Sequence, residues 1–90
     1  MVLSARIIKH SRRMRYCSDC GAVIRGLFIS AYGMADAGDQ PFTVRFHPGC
    51  CTYSKDEKIV LAKAAAAHLL AHPDWTIEYA FAAANGRCEV

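Results

Sequence analysis

The sequence predicts a single small α+β domain spanning residues 1–90, and three observations support this. Two close pairs of cysteine or histidine residues frame the stretch 17–50, two segments alternate in hydrophobicity as strands do, and an alanine-rich stretch from about residue 55 has the pattern of a helix. A 90-residue chain has a thin core and often needs a further source of stability. Its hydrophobic fraction of 53% is typical of a folded chain, although much of it is alanine, which buries little surface.

The two close pairs have the spacing of metal ligands. They read Cys17-x2-Cys20 and His47-x2-Cys50, with 26 residues between them. Each short pair can chelate one edge of a tetrahedron, and the long span lets the two edges meet in space. Gly21 follows the first pair directly, where a tight turn under a metal favours glycine. These residues predict one structural Zn²⁺ ion bound by Cys17, Cys20, His47 and Cys50.

Cysteine usage favours zinc over disulfides. The chain has five cysteines, an odd number, and Met1–His10 has no apolar run long enough for a signal peptide. No run reaches the roughly 18 apolar residues of a membrane span. We therefore expect a reducing, cytoplasmic setting and no membrane contact. Cys51 is an alternative ligand to Cys50, and otherwise Cys51 and Cys88 are expected to be free thiols.

The basic residues are concentrated at the start of the chain. The formal net charge is +3, but residues 1–15 form a basic N-terminal strand or arm without an acidic residue, carrying Arg6, Lys9, Arg12, Arg13 and Arg15. Such an arm suits an anionic partner such as a nucleic-acid backbone. A solvated solubility tail is the alternative.

Strand patterns occur before and between the ligand pairs. Val2–Ile8 partly alternates and predicts a short strand, at the edge of a sheet, and Lys9–Arg15 is expected to link it to the metal site. Leu27–Tyr32 and Phe42–Phe46 predict the two strands of a hairpin. The loop Gly33–Pro41 between them is rich in glycine and aspartate.

A long helix is predicted after the second ligand pair. Ser54-x-x-Glu57 is a capping-box pattern, so a helix should run from about residue 55 to residue 71 and end before Pro73. One stripe should cover the hairpin, formed by Ile59, Ala62, Ala66, Leu69 and Leu70. His68 and His72 have the i, i+4 spacing of a metal pair, but a helix-end pair is the interpretation we favour.

The C-terminal stretch has two interpretations. Asp74 could cap a second helix over residues 75–84 that closes at Asn85-Gly86. Thr76–Phe81 also alternates like a strand, and Asn-Gly is a hairpin turn. The alanines favour the helix. In either case the core should be closed by Trp75, Ile77, Tyr79 and Phe81.

A zinc knuckle, a hairpin, and a second ligand pair leading into a helix make a treble-clef-like arrangement. Cys17-x2-Cys20, Gly26 and an aromatic strand ending in His47-x2-Cys50 resemble the CCHC zinc finger of the poly(ADP-ribose) polymerase type. The resemblance covers about a third of the chain and implies a zinc-built platform for DNA ends or nicks. The acidic loop with Asp36 and Asp39 departs from a phosphate-gripping surface. The composition also resembles that of small proteins from GC-rich bacteria and their phages.

Two functions follow as expectations. In the first, the protein binds nucleic acid, DNA above all, with the basic arm on the phosphates and Arg25 and Arg45 of the hairpin adding contacts. In the second, it is a regulatory interaction module that docks on another protein. Catalysis is not expected, because ligation would occupy both Cys50 and His47, the one candidate nucleophile and base pair.

Overall fold

A three-stranded antiparallel sheet with a helix packed on one face forms the body of the fold. The computed structural model describes residues 2–34, 40–50 and 56–86. The sheet consists of β1 (Val2–Ile8), β4 (Phe28–Gly33) and β5 (Phe42–Phe46), and a two-stranded ladder of β2 (Arg15–Tyr16) and β3 (Val23–Ile24) accompanies it. Two helices follow, α1 (Glu57–Ala71) and α2 (Ile77–Ala84). The prediction of a small α+β fold is confirmed.

The order of the strands in the sheet is β1-β4-β5, so β4 is central and β1 is an edge strand, as expected. Residues paired across adjacent strands point to the same face. Ile7, Ile29 and Phe46 form one such row and all are buried. This row and the neighbouring Ala31 belong to the core that packs against α1.

Alanines let α1 pack closely on the sheet. Its buried residues are Ile59, Ala62, Ala65, Ala66 and Leu69. The prediction that Leu70 also faces the core is wrong, because its side chain is 62% exposed. The buried arc is centred between Ala62 and Leu69, and a rotation of about 100° per residue places Leu70 at its margin. Ala65, which the sequence pattern did not include, is buried at the opposite margin of this arc.

The N-terminus of α1 is capped by Asp56, and the prediction of a Ser54 cap is therefore wrong. The Asp56 side chain accepts a hydrogen bond of 2.9 Å from the backbone N–H of Lys58. It also accepts one of 3.4 Å from the N–H of Val2 at the start of β1. This contact between distant parts of the chain explains why the helix begins later than the local pattern suggests. Ser54 and Cys51 lie outside the described residues.

The second helix is confirmed, and the alternative strand is wrong. Its N-cap is Thr76, whose hydroxyl accepts a 3.1 Å hydrogen bond from the N–H of Tyr79, and not Asp74. The turn between the helices, closed by Trp75 N–H on the His72 carbonyl, includes Asp74 and so moves the cap to Thr76. Gly86 ends the helix with a φ of 73°, a conformation that favours glycine.

Aromatic rings join the two helices. Trp75 stacks on His72 with 4.1 Å between ring centroids and lies 5.7 Å from the ring of His68. Trp75, Ile77 and Phe81 pack against the core as expected. The prediction that Tyr79 also closes the core is wrong, because it is 44% exposed, although its ring lies 4.6 Å from that of Trp75 in an edge-on contact. The two histidines therefore have a packing role. Neither described helix is long and apolar enough to cross a bilayer.

Candidate metal centre and the basic surface beside it

The structure brings the four predicted ligands together. The sulfur atoms of Cys17, Cys20 and Cys50 and one ring nitrogen of His47 all lie within 4.8 Å of one another. Cys17 directly follows β2, and His47 directly follows β5. Among residues 2–34, 40–50 and 56–86, these four form the one group of cysteine, histidine or acidic side chains that could hold a metal ion.

The first ligand pair lies on a tight turn. The N–H of Gly21 donates to the Cys17 carbonyl at 2.9 Å, and the N–H of Cys17 donates to the Ala22 carbonyl at 2.9 Å. Gly21 has a φ of 77°, in the left-handed region that side chains disfavour. The N–H of Cys20 points at the Cys17 sulfur at 3.4 Å, as expected for a thiolate held under a metal.

The second pair lies on a similar turn. The N–H of Cys50 donates to the His47 carbonyl at 3.0 Å, and the Lys63 ammonium of α1 donates to the Cys50 carbonyl. The two turns are joined through β5, because the N–H of Ser18 donates to the Arg45 carbonyl at 2.7 Å. The Arg45 N–H donates back to the Ser18 hydroxyl at 3.3 Å. These two hydrogen bonds fix the first turn beside the end of β5, next to His47.

The donor atoms fit a tetrahedral zinc ion. Bonds of about 2.3 Å to sulfur and about 2.0–2.1 Å to nitrogen would separate two sulfurs by about 3.8 Å, and a sulfur from a nitrogen by about 3.6 Å. The sulfurs of Cys17 and Cys50 are 3.4 Å apart, and His47 Nδ1 lies 3.4 Å from the Cys20 sulfur and 3.8 Å from the Cys50 sulfur. A disulfide would require sulfurs about 2.05 Å apart, and these three cysteines are free.

The imidazole of His47 is oriented by a carbonyl group. Its Nε2 lies 3.3 Å from the carbonyl oxygen of Val23 in β3. A carbonyl can only accept, so Nε2 carries the proton and Nδ1 presents its lone pair to the cysteines. This is the tautomer that a zinc ligand requires.

The thiols differ in acidity. Burial raises the pKa of Cys17, but hydrogen bonds from the backbones of Cys20, His47 and Asp19 and from the Cys50 side chain outweigh it and lower the pKa to about 6. Burial, together with the hydrogen bond to Cys17 and the negative charge there, raises the pKa of Cys50 to about 12. The lowered pKa favours the thiolate form of Cys17, whereas Cys50 would have to lose its proton in order to bind a cation.

Three of the predicted nucleic-acid contacts line one cleft. Arg12 and Arg13 of the N-terminal arm and Arg25, which directly follows β3, border a depression of about 350 Å³ between the arm and β3. All three are exposed. The depression is also lined by His10, Ser11, Met14, Val23, Ile24, Gly26 and Phe28. We call it the basic cleft.

Two more predicted contacts lie on the sheet. Arg6 of β1 and Arg45 of β5 both pair with Ser30 of β4, so the three side chains form one row. This row lies on the face opposite the helix-facing row of Ile7, Ile29 and Phe46, because neighbouring residues in a strand alternate between faces. Arg6 is exposed and Arg45 half-buried.

The last two of the predicted nucleic-acid contacts, Lys9 and Arg15, are engaged with other parts of the protein. The Lys9 ammonium donates a 3.0 Å hydrogen bond to the Trp75 carbonyl, which directs it toward α2 and away from the basic cleft. Arg15 is half-buried in β2, where it pairs with Ile24. The arm is therefore divided between β1, a tether to α2 and the cleft.

Some contributors to this region were missed in the sequence. The Val23 carbonyl that orients His47 has no sequence signal, because any residue carries a carbonyl. Phe28 lines the basic cleft, is 1% exposed and lies on the face of the sheet away from α1. His10 stands among basic residues, but its position in the sequence indicates no specific role. No family model, curated protein or solved structure matches the chain.

Proposed function

We propose that this chain is a small zinc-finger protein that binds nucleic acid, DNA above all, through the basic cleft. The potential zinc-binding site of three cysteines and one histidine indicates a structural zinc domain. The zinc holds the turn that carries Cys17 against the one that carries His47. Four protein ligands complete a tetrahedral shell, which is the pattern of structural sites and not of catalytic ones.

The observation that carries the proposal is the convergence of Arg12, Arg13 and Arg25 on one cleft. These arginines come from two parts of the chain, and like charges repel unless an anion lies between them. Guanidinium groups match phosphate oxygens in geometry as well as charge. A nucleic-acid backbone supplies such anions at regular intervals.

We also propose that the zinc-binding part of the chain is a treble clef similar to the poly(ADP-ribose) polymerase-type zinc finger. In support of this, a hairpin of β4 and β5 lies between the two ligand pairs, and the chain continues from the second pair into α1. In this proposal the zinc centre plays no catalytic part.

Binding of a labelled 20-nucleotide DNA, as single strand and as duplex, tests the proposal when anisotropy is measured at several salt concentrations. Five arginines, Arg6, Arg12, Arg13, Arg25 and Arg45, predict a log–log salt slope of about −3.5 to −4.5, since each phosphate contact contributes about 0.7–0.9. The triple variant Arg12→Ala, Arg13→Ala, Arg25→Ala should flatten the slope by about 2–3 and retain its zinc.

Lys58→Ala is the matched control. Its ammonium donates to the Leu3 carbonyl near the start of β1, whereas the basic cleft begins at His10, beyond the end of that strand. We expect the salt slope of Lys58→Ala to differ from that of the wild type by less than about the contribution of one phosphate contact. Absence of wild-type binding at low salt, or equal slopes for the triple variant and the wild type, would refute the proposal.

The second candidate, a module that docks on another protein, is favoured by the outer surface of α1. Val60 is 49% exposed and Leu70 62% exposed. Val60 and Leu61 also line a depression of about 450 Å³ that reaches Ala84 and Asn85 at the end of α2. Exposed apolar side chains next to a groove are a feature of interaction surfaces. Capture of a protein partner that Val60→Asp abolishes would support this candidate.

A further inference from the structure

The outer face of the sheet, turned away from α1, carries an exposed aromatic ring. Tyr32 lies in the central strand β4 and is 41% exposed, although Ile29 and Ala31 of the same strand are fully buried. It pairs with Ser4 of β1 and Thr43 of β5, which are both exposed and have side chains smaller than the tyrosine ring. An aromatic residue in a central strand is usually covered, so its exposure here needs a reason.

The neighbouring row supplies positive charge. Arg6 and Arg45 flank Ser30, two residues along β4 from Tyr32 and on the same face. Two residues of a strand span about 6.6–6.8 Å, so the arginine row lies that far along the sheet from the Tyr32 row. Neither row contains a carboxylate, and the residues of both rows are all described.

The outer face continues into the basic cleft. Phe28 is the next residue of β4 on this face, beyond Ser30, and it lines the cleft with Arg25. Ser30 is 8% exposed and Phe28 1% exposed, so a strand of nucleic acid that runs from Tyr32 to the cleft would lie over the arginine side chains and not on the sheet itself. The surface offers an aromatic ring first and then two successive groups of arginines.

We propose that this face binds single-stranded DNA, with a base stacked on Tyr32, the adjoining backbone between Arg6 and Arg45, and further phosphates in the basic cleft. The inference rests on the proposed function and deepens it by naming the form of the nucleic acid. A stacked base must have a free face, which a base inside a duplex lacks. Arginines alone would attract either form, so the tyrosine is what selects the single strand.

Tyr32→Ala tests the inference with labelled dT12 and a 12-base-pair duplex. We expect the wild type to prefer dT12, and the variant to bind dT12 about 5- to 150-fold more weakly, the range for loss of one base–aromatic stack. Duplex affinity and the salt slope should stay unchanged, because no phosphate contact is removed. Tyr32→Phe keeps the ring and should bind dT12 within about twofold of the wild type.

Tyr79→Ala is the control for an exposed tyrosine elsewhere, since Tyr79 lies on α2 with 44% of its surface exposed. It should bind dT12 as the wild type does, and zinc content should be equal in all variants. The inference is overturned if Tyr32→Ala leaves dT12 binding unchanged or weakens binding to both forms equally. If the cleft triple variant loses binding while Tyr32→Ala does not, the proposed function stands without the single-strand platform. If the wild type binds neither form, both are refuted.

Discussion

His47 donates its Nε2 proton to the carbonyl of Val23 across 3.3 Å, and Val23 lines the basic cleft. The imidazole of His47 thus faces the cysteines with Nδ1, and its Nε2 is hydrogen-bonded to a residue that lines the cleft. A zinc ion bound at Nδ1 would strengthen the polarity of the opposite N–H and so the hydrogen bond to the Val23 carbonyl. The metal centre and the proposed binding surface are joined through this ring.

The tautomer of His47 is the first prediction. In the zinc-bound protein Nε2 should carry the proton and Nδ1 should bind the metal, because the Val23 carbonyl accepts only from an N–H. Long-range ¹H–¹⁵N correlation spectra distinguish the two nitrogens, and the exposed His10 provides a reference ring in the same sample. A protonated Nδ1 with a bare Nε2 would contradict the described geometry.

The pH dependence of zinc affinity is the second prediction. Between about pH 6 and pH 8 Cys17 is a thiolate, with a pKa of about 6, while Cys50, with a pKa of about 12, keeps its proton. Zinc must displace that proton, so Cys50 alone makes the logarithm of the affinity rise by about one unit per pH unit. Below pH 6 Cys17 is protonated as well. The logarithm of the zinc affinity should then rise with pH more steeply, by about one further unit per pH unit.

Competition with a chelator of known affinity, at pH values from 5 to 8, measures this dependence. The Cys88→Ser variant should give the same curve, because Cys88 is not among the four ligands. An affinity that does not change with pH would show that the cysteines are not displacing protons and would contradict thiolate ligation.

The third prediction concerns the turn under the first ligand pair. Gly21→Ala should destabilise the protein by about 1 kcal/mol or more, because its φ of 77° disfavours a side chain even though no atom lies within 4 Å of the added Cβ. Gly26→Ala is the control, since its Cβ also meets nothing within 4 Å and its φ lies outside the left-handed region. Chemical denaturation of the zinc-loaded variants gives both values. Equal stabilities would show that Gly21 is not required for its backbone conformation.

The fourth prediction separates adjacent leucines of α1. Leu69 is 3% exposed, so Leu69→Ala should cost about 2–5 kcal/mol of unfolding free energy. Leu70 is 62% exposed, so Leu70→Ala should stay within about 0.5 kcal/mol of the wild type. Denaturant midpoints of the two variants measure the difference. A larger loss for Leu70→Ala would mean that the rotation of α1 is different from the one described.

Local patterns predicted the parts of the fold that depend on local chemistry. The ligand pairs could be identified because chelation by Cys17 and Cys20 needs a short, fixed spacing, and the strand Phe42–Phe46 because its alternation follows from one covered face. The helix cap at Asp56 could not be predicted from local sequence, because the Asp56 carboxylate also accepts a hydrogen bond from the N–H of Val2, which is far away in the sequence. The exposure of Leu70 could not be predicted either, because it depends on how α1 is rotated about its axis when it packs on the sheet.

The basic surface shows the same distinction. The sequence identifies the basic residues, but their grouping depends on how the arm folds back. Arg12 and Arg13 meet Arg25 only because residues 10–14 lie beside β3, and Lys9 leaves the group because it donates to the Trp75 carbonyl. No periodicity in the sequence contains these long-range contacts. A charge pattern therefore predicted an anionic partner without predicting a cleft.

The metal content of the purified chain, measured by native mass spectrometry together with metal analysis, tests whether Cys17, Cys20, His47 and Cys50 form a structural zinc site. We predict one zinc ion per chain in the wild type, loss of zinc and of the folded state on chelation, and loss of zinc in Cys20→Ser. Cys51→Ser and Cys88→Ser, at positions outside the described residues, should keep it. Binding of roughly 10 kcal/mol would then supply most of the stability of so small a domain. A wild-type chain without zinc, or a Cys20→Ser variant with full metal content, would contradict the account.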